Sequence, residues 1–245
     1  MKDNFSHNPD KYAQFRPTYP KELYDILMPF VQEKNIAWDC GTGNGQVAVE
    51  LAKYFKQVYA TDISEAQIKK AATAQNIFYS VEPAEKTSFE NGIFDLITVA
   101  QAIHWFDFDA FYREVKRLLK PGGLLAVIGY GLIDTNEEAV SKIINKFYKE
   151  TVGPYWDKER RYIDEHYLSI PFPFREIKVS QLYNHFEWSM EQLLGYVETW
   201  SAVQHYKKAT QQDPVTLIKA ELKKIWGAGE EKKIRFPILL RIGEI

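Results

Sequence analysis

The sequence predicts an α/β chain built on a doubly wound, mostly parallel, seven-stranded sheet. Three observations predict it. Short apolar runs alternate with helical patterns between residues 35 and 130, and such alternation implies parallel strands joined by right-handed crossovers. A glycine cluster, Gly41, Gly43 and Gly45, follows the first run, where the strand-to-helix turn of such a unit belongs. The run at 124–130 is apolar enough to be covered on both faces, as strands of parallel sheets are.

Each element follows in order. Residues 35–40 form the first expected strand, ending in the glycine cluster. Val47, Val49, Leu51 and Ala52 supply a helix over 46–54, and 57–61 is the second strand. Ser64 is placed to cap a helix running to about Ala74, because a serine oxygen accepts from the orphan amides of a first turn. Strands follow at 76–81 and 94–99. Over 107–119, Phe108, Phe111, Val115, Leu118 and Leu119 recur at helical spacing. Asp107 is the expected cap there, and Pro121-Gly122-Gly123 the stop. A strand over 124–130 comes next.

The second half is less regular. Residues 137–150 read as helical. Residues 153–173 carry three prolines and several aromatics and read as irregular. A strand is expected over 177–188 and a helix over 190–200. A further helix spans 214–226, with Asp213 as cap and Pro214 at its first position. The last strand covers 232–241, with Pro237 expected at an edge or a bulge because it lacks an N–H. Two closing strands after a polar, aromatic insertion suggest a C-terminal aromatic cap built onto the sheet. The expected organisation is one domain over 1–245, with a core at 35–130 and cap and closing elements at 135–230.

Composition narrows the function. The chain has 245 residues, 45% hydrophobic and 26% charged, which is globular composition. Lys plus Arg is 31, Asp plus Glu is 33, and the net charge is −2. That balance argues against broad nucleic-acid contact, which needs a basic face. The first twenty residues contain no apolar targeting segment, and no apolar run reaches the length of a membrane span. A single cysteine, Cys40, fits a cytoplasmic compartment. The expectation is a monomer or weak homodimer with a small-molecule acceptor, and no nucleic-acid or membrane partner. The five histidines, at 7, 104, 166, 185 and 205, lack metal-ligand spacing, so no metal is expected.

The segment Trp38-Asp39-Cys40-Gly41-Thr42-Gly43-Asn44-Gly45 carries the functional signal. Glycines let backbone approach a ligand and adopt positive φ. A dinucleotide fingerprint would place its third glycine where Gln46 stands, and no Gly-Lys-Ser/Thr follows for a P-loop. Asp62 ends the second strand, where a carboxylate can accept both hydroxyls of an adenosine ribose; a cap for the helix that follows is the other reading.

Residues 39–45, Asp62, the run 94–99 and the block Leu118-Leu119-Lys120-Pro121-Gly122-Gly123-Leu124 resemble class I S-adenosylmethionine-dependent methyltransferases, whose sheet is Rossmann-like. The resemblance covers roughly residues 35–130. It implies that Gly41 and Gly43 lie against the amino-acid part of the cofactor, with Thr42, Asp39, Ala100 and Gln101 nearby. It implies that Asp62 holds the ribose beside Ile63, and that Ala84 and Glu85 border adenine. Pro83 departs from the family, which often has an acid there. Tyr12 with Arg16-Pro17-Thr18-Tyr19-Pro20, and His104-Trp105-Phe106-Asp107-Phe108, are similar to the trans-aconitate methyltransferase group. So are Gly153-Pro154-Tyr155-Trp156 with Arg160, and Tyr196-Val197-Glu198-Thr199-Trp200-Ser201-Ala202. That group's best-known activity is methyl esterification of a small polycarboxylic acid. The implied cofactor is S-adenosyl-L-methionine, with S-adenosyl-L-homocysteine as product.

Methyl transfer from a sulfonium needs alignment and exclusion of water. A carboxylate acceptor is ionised at pH 7 and requires no base. It requires cations that hold its other carboxylates, and arginine's planar fork suits that task. Arg16 and Arg160 are the candidates, with Arg161 beside them. Arg16, just before the first helix, could cover either the cofactor carboxylate or the acceptor, and Tyr12 accompanies it in the cofactor set. His104, after the fourth strand, could donate a hydrogen bond to the acceptor or serve as base. Tyr19, Trp105, Tyr155, Trp156 and Trp200 are expected to wall the acceptor site. Methylation of a hydroxyl or amine, a non-catalytic cofactor-binding protein and a nicotinamide dehydrogenase are the alternatives; the glycine spacing disfavours the last.

Overall fold

The structure, a computed structural model, describes residues 15–245. Strands β1 (Ile36–Cys40), β2 (Gln57–Asp62), β3 (Ile77–Val81), β4 (Phe94–Ala100) and β5 (Leu119–Tyr130) are mutually parallel and lie in the order β3-β2-β1-β4-β5. The chain steps outward from β1 to β3 and then returns to place β4 against β1. Their carboxyl ends therefore form the switch point at which open α/β sheets bind ligands.

Four more strands close the sheet. These are β6 (Asp134–Thr135), β7 (Arg175–Ile177), β8 (Leu182–Trp188) and β9 (Lys232–Glu244). β9 runs antiparallel to β5 and β6, and antiparallel to β7 and β8. β6 prolongs the line of β5, and β7 with β8 forms one interrupted line, so the seven-stranded plan holds with two strands broken. The expected strand at 177–188 starts earlier and breaks over 178–181. Pro237 lies inside β9, between neighbours on both sides. Its carbonyl accepts from Gly131 N–H at 2.9 Å, so its missing N–H faces the gap between β5 and β6, where no ladder bond is lost.

Nine helices are described: α1 (Lys21–Leu27), α2 (Gln46–Leu51), α3 (Glu65–Ile68), α4 (Phe108–Leu118), α5 (Glu138–Lys146), α6 (Arg161–Asp164), α7 (Met190–Glu198), α8 (Ser201–Thr210) and α9 (Val215–Leu222). Two of the three expected caps form: Ser64 Oγ accepts from Gln67 N–H, and Asp107 Oδ1 from Ala110 N–H at 3.0 Å. At α9 the N-cap is Pro214 rather than Asp213, because Pro214 stands one position before the first helical residue, although Asp213 Oδ1 still accepts from Val215 N–H at 3.0 Å. The helix after Ser64 ends at Ile68, short of Ala74. The expected helix over 137–150 passes into a π-helical turn at Phe147–Thr151. Helix α8 follows directly on α7 and buries only Ala202 and Val203, so no apolar period marks it in the sequence. Lys120 to Gly123 belong to β5, opposite a register shift in β4, so α4 stops before Pro121.

Strand β5 shows why the sheet has two cores. Leu124, Ala126, Ile128 and Tyr130 pack on one face with α1, α2, α7 and α8; Leu125 and Val127 pack on the other with Phe111, Val115 and Leu118 of α4. Alternate residues of one strand bury against opposite layers. Asp95 pins β1 to this frame: its Oδ2 accepts from Asn35 and Ile36 N–H at 2.8 Å each, and its Oδ1 pairs with Lys120 at 2.6 Å. No helix among the described residues is long and apolar enough to cross a membrane.

Candidate active site

The loops after β1 and β4 meet at the switch point and border a cavity that opens to solvent. Gly41 has φ +68°, and a Cβ there would stand 2.7 Å from Ala102 Cβ. Only glycine lets the two loops close on each other. Gly43 has φ +56° and nothing within 4 Å of a Cβ position, so its bare backbone faces the cavity.

Two acids line the floor. Asp39 is 1% exposed. Thr42 Oγ1 donates to its Oδ2 at 2.5 Å, and Thr98 Oγ1 to its Oδ1 at 2.8 Å. Burial still pushes its pKa up to about 6, against the pull of those bonds. Asp62, at the end of β2, accepts from Gly43 N–H and Ser64 N–H at 2.9 Å each. Asp62 thus orients the glycine loop as well as lining the cavity beside Ile63.

Residues 16–19 form the opposite wall. Arg16 Nη1 donates to Tyr130 Oη at 3.0 Å, and Nη2 to the Thr199 carbonyl at 2.9 Å. Thr199 caps the carboxyl end of α7, where a cation is favoured. Tyr19 packs on Tyr130 at 6.1 Å between ring centroids. Ala100, Gln101, Ala102 and Trp105 complete the rim. Gln101 takes φ +52°, its Nε2 donating to the Tyr130 carbonyl at 3.2 Å and its Oε1 accepting from Tyr167 Oη at 3.1 Å.

Arg160 stands deeper, with a side chain 14% exposed. Its Nε donates to Tyr148 Oη at 2.8 Å, and its guanidinium lies 4.7 Å from the Trp156 ring centroid. Tyr148 comes from the π-helical turn, a distortion frequent at functional sites, and donates to Asp164 at 2.6 Å. Burial drives the Tyr196 phenol up to about 12, with Arg16 and Arg160 both pulling it down. The two guanidiniums therefore lie within electrostatic reach of one buried hydroxyl. His104 is buried, with Nδ1 3.4 Å from Tyr167 Oη. Burial, then the nearby charge of Arg160, lowers its pKa to about 3, so the imidazole is neutral at ordinary pH.

The structure thus brings Arg16, Tyr19, Asp39, Gly41, Thr42, Gly43, Asp62, Ile63, Ala100, Gln101 and Trp105 to one cavity. Other expected residues stand elsewhere. Ala84 is buried in the α4-side core, and Glu85 accepts from Asp107 N–H at 3.2 Å, at the start of α4. Tyr155 packs on Tyr206, and Trp200 is buried among Phe147, Tyr148, Trp156 and Tyr196. His104 lines a separate cleft with Phe108, Lys158, Arg161 and Tyr162, and Trp105 is common to both spaces. Tyr12 lies outside the described residues. Asn44, Gln46, Ser64, Gln67 and Tyr130 also line the main cavity; Tyr130 could have been found as the last residue of a central strand, at the ligand-facing end. No three His, Cys, Asp or Glu side chains among the described residues converge as metal ligands.

Comparison with known proteins fits this geometry. Residues 38–127 match the methyltransferase domain family. The chain is 39% identical to a protein of Dictyostelium discoideum named as a methyltransferase, over 97% of this chain and 93% of that one. It is 28% identical to a methyltransferase of Aspergillus candidus, over 74% and 64% of the two chains. The solved structure of a protein from Anaeromyxobacter dehalogenans, described as a type II methyltransferase, superposes with a TM-score of 0.87 at 35% identity, covering 94% of this chain and 98% of that one. A structure from Bacillus halodurans, at 19% identity and a TM-score of 0.54 over 92% and 99%, shares the fold.

Proposed function

This chain belongs to the methyltransferase family, and from that premise we propose that it esterifies a small polycarboxylic acid with the methyl group of S-adenosylmethionine. The residues of the main cavity suit that cofactor. Gly43 offers bare backbone, and a second carboxylate, Asp39, lies buried near the Asp62 carboxylate where a sulfonium and an ammonium are to be held. Gly41, Thr42 and Gly43 would carry its amino-acid part, Asp62 its ribose, and Gln101 the loop beside it. When bound, the cofactor supplies a methyl group already activated on sulfur and leaves as S-adenosylhomocysteine.

The observation that carries the acceptor class is the pair of partly buried guanidiniums, Arg16 and Arg160, both within electrostatic reach of Tyr196. Their planar forks pair with carboxylates bidentately, and burial strengthens that pairing. Arg16 shares the cavity wall with Trp105 and Tyr130, so an acid held there stands beside the donor site. A hydroxyl or amine acceptor would need a proton acceptor. His104, held neutral with a pKa near 3, is a weak one. A carboxylate needs none, which favours the ester.

The test compares kcat/KM across tricarboxylates, dicarboxylates and their mono-amides. Replacing one non-reacting carboxylate by an amide is expected to lower kcat/KM roughly tenfold or more, as loss of a charge-assisted bond does. Equal rates for an acid and its amide would set the carboxylate reading aside.

A further inference from the structure

Backbone strain marks a second feature of the site. Four non-glycine residues among those described have positive φ: Gln101 at 52°, His166 at 54°, Tyr167 at 61° and Gln211 at 59°. Two of the four, Gln101 and Tyr167, meet in one hydrogen bond, from Tyr167 Oη to Gln101 Oε1 at 3.1 Å, and His166 precedes Tyr167 in the same turn. Non-glycine residues in that region are strained and gather where structure over-determines them.

The surroundings fix Tyr167 closely. It is 0% exposed. Its ring lies over Gly129 of β5, where a Cβ would meet the ring at 2.7 Å. Arg241 Nη1 donates to the Tyr167 carbonyl at 3.0 Å and to the Ile170 carbonyl at 2.8 Å. A glycine, a strained turn and an arginine clamp all serve to deliver one phenol beneath the loop after β4.

That phenol has one proton. Gln101 Nε2 donates to the Tyr130 carbonyl at 3.2 Å, which orients the amide and leaves Oε1 toward Tyr167. Tyr167 Oη donates to that oxygen. Its own oxygen then faces His104 Nδ1 at 3.4 Å, and that contact is attractive only if Nδ1 carries the hydrogen. We propose that Tyr167 is a positioning residue which, held by Gln101, fixes His104 as its Nδ1–H tautomer with a lone pair on Nε2. A buried imidazole next to a guanidinium stays neutral, so one tautomer must be chosen.

The consequence bears on acceptor choice, and rests there on the reading proposed above. His104 lines the cleft shared with Trp105, Lys158 and Arg161. With its Nδ1 turned to Tyr167, it offers that cleft a hydrogen-bond acceptor and no donor. A carboxylate gains nothing from it, so the carboxylates fall to Arg16 and Arg160. The role of hydrogen-bond donor to the acceptor, open to His104 from sequence, is removed.

Long-range proton–nitrogen NMR on histidine-labelled protein reads the tautomer directly, with His104→Gln identifying the signal. The free protein is expected to show a protonated Nδ1 and an unprotonated Nε2 at His104. In Gln101→Leu the phenol loses its acceptor and turns its proton to Nδ1, so the tautomer is expected to invert. In Tyr167→Phe the Nδ1–H form is expected to lose its dominance. A protonated Nε2 in the wild-type protein would overturn the proposal, even should both variants fail to fold. So would a Gln101→Leu spectrum unchanged from wild type. No acceptor is present in this measurement; a confirmed tautomer together with no esterified acid would leave the tautomer standing and remove only the acceptor reading.

Discussion

Arg16 donates from Nη1 to the Tyr130 hydroxyl at 3.0 Å, joining residues 114 positions apart. The same guanidinium reaches the Thr199 carbonyl at 2.9 Å. One side chain thus ties the segment before α1 to the end of β5 and to the end of α7. The wall of the main cavity is braced between the sheet and the cap helices.

Arg16→Lys should break this tie, because one ammonium lacks the fork that serves Tyr130 and Thr199 together. The acceptor KM is expected to rise roughly tenfold or more, and cofactor affinity to fall with it. Arg160→Ala should raise the acceptor KM similarly while leaving cofactor affinity unchanged, since Arg160 does not line the donor cavity. Steady-state kinetics with calorimetric titration of S-adenosylhomocysteine separates the two. Unchanged acceptor KM in both variants would refute the acceptor site.

Gly41 and Gly43 should fail in different ways. At Gly41 an added methyl meets Ala102 at 2.7 Å on top of a positive φ. Gly41→Ala is expected to lower stability by about 2 kcal/mol or more. At Gly43 only the conformational cost applies, roughly 1–2 kcal/mol, but the methyl stands in the cavity. Gly43→Ala is therefore expected to fold and to lose cofactor affinity. Thermal melts with and without S-adenosylhomocysteine distinguish the two; a Gly43→Ala protein stabilised by ligand as fully as wild type would contradict the cofactor placement.

Asp39 sets a pH dependence with a definite sign. Its folded pKa, about 6, lies above its ordinary value of 3.8 because it is buried. The folded state therefore binds the proton more tightly than the unfolded one. Its contribution to stability is greatest below about pH 4 and is lost as pH rises to about 6, on the order of 3 kcal/mol. Asp39→Asn should flatten that portion of the stability curve. Binding a cationic donor favours the ionised form, so wild-type affinity for S-adenosylmethionine should be several-fold weaker near pH 5 than near pH 7.5. Titration at both values checks this.

His104→Gln should retain appreciable turnover with an acid. The wild-type rate should show no inflection near pH 6.5 from this residue, because its pKa is near 3. A pH–rate profile of both proteins decides; loss of all activity in His104→Gln at every pH would point to a hydroxyl or amine acceptor.

Much of this was legible in the sequence wherever local chemistry decides. The Ser64 and Asp107 caps act over three residues, and the glycine loop and Asp62 each stand where a strand visibly ends. The rest depends on distant partners. Tyr130 reads as the last residue of a strand, and only the fold sets its hydroxyl on Arg16. Glu85 matches a motif, and only the fold sets its carboxylate on Asp107 N–H, 22 positions away. Tyr167 sits in a stretch that reads as irregular, and the role proposed for it rests on its own turn together with Gln101, Gly129 and Arg241 from the loop after β4, from β5 and from β9. Trp200 matched a motif, but its ring is spent on packing the cap.

The most direct test is transfer of labelled methyl from S-adenosylmethionine into a panel of small acids, trans-aconitate among them, followed by mild base. Label is expected in a di- or tricarboxylate and is expected to be released by base as methanol. Base-stable label on a hydroxyl or amine, with cofactor binding intact in the same preparation, would contradict esterification.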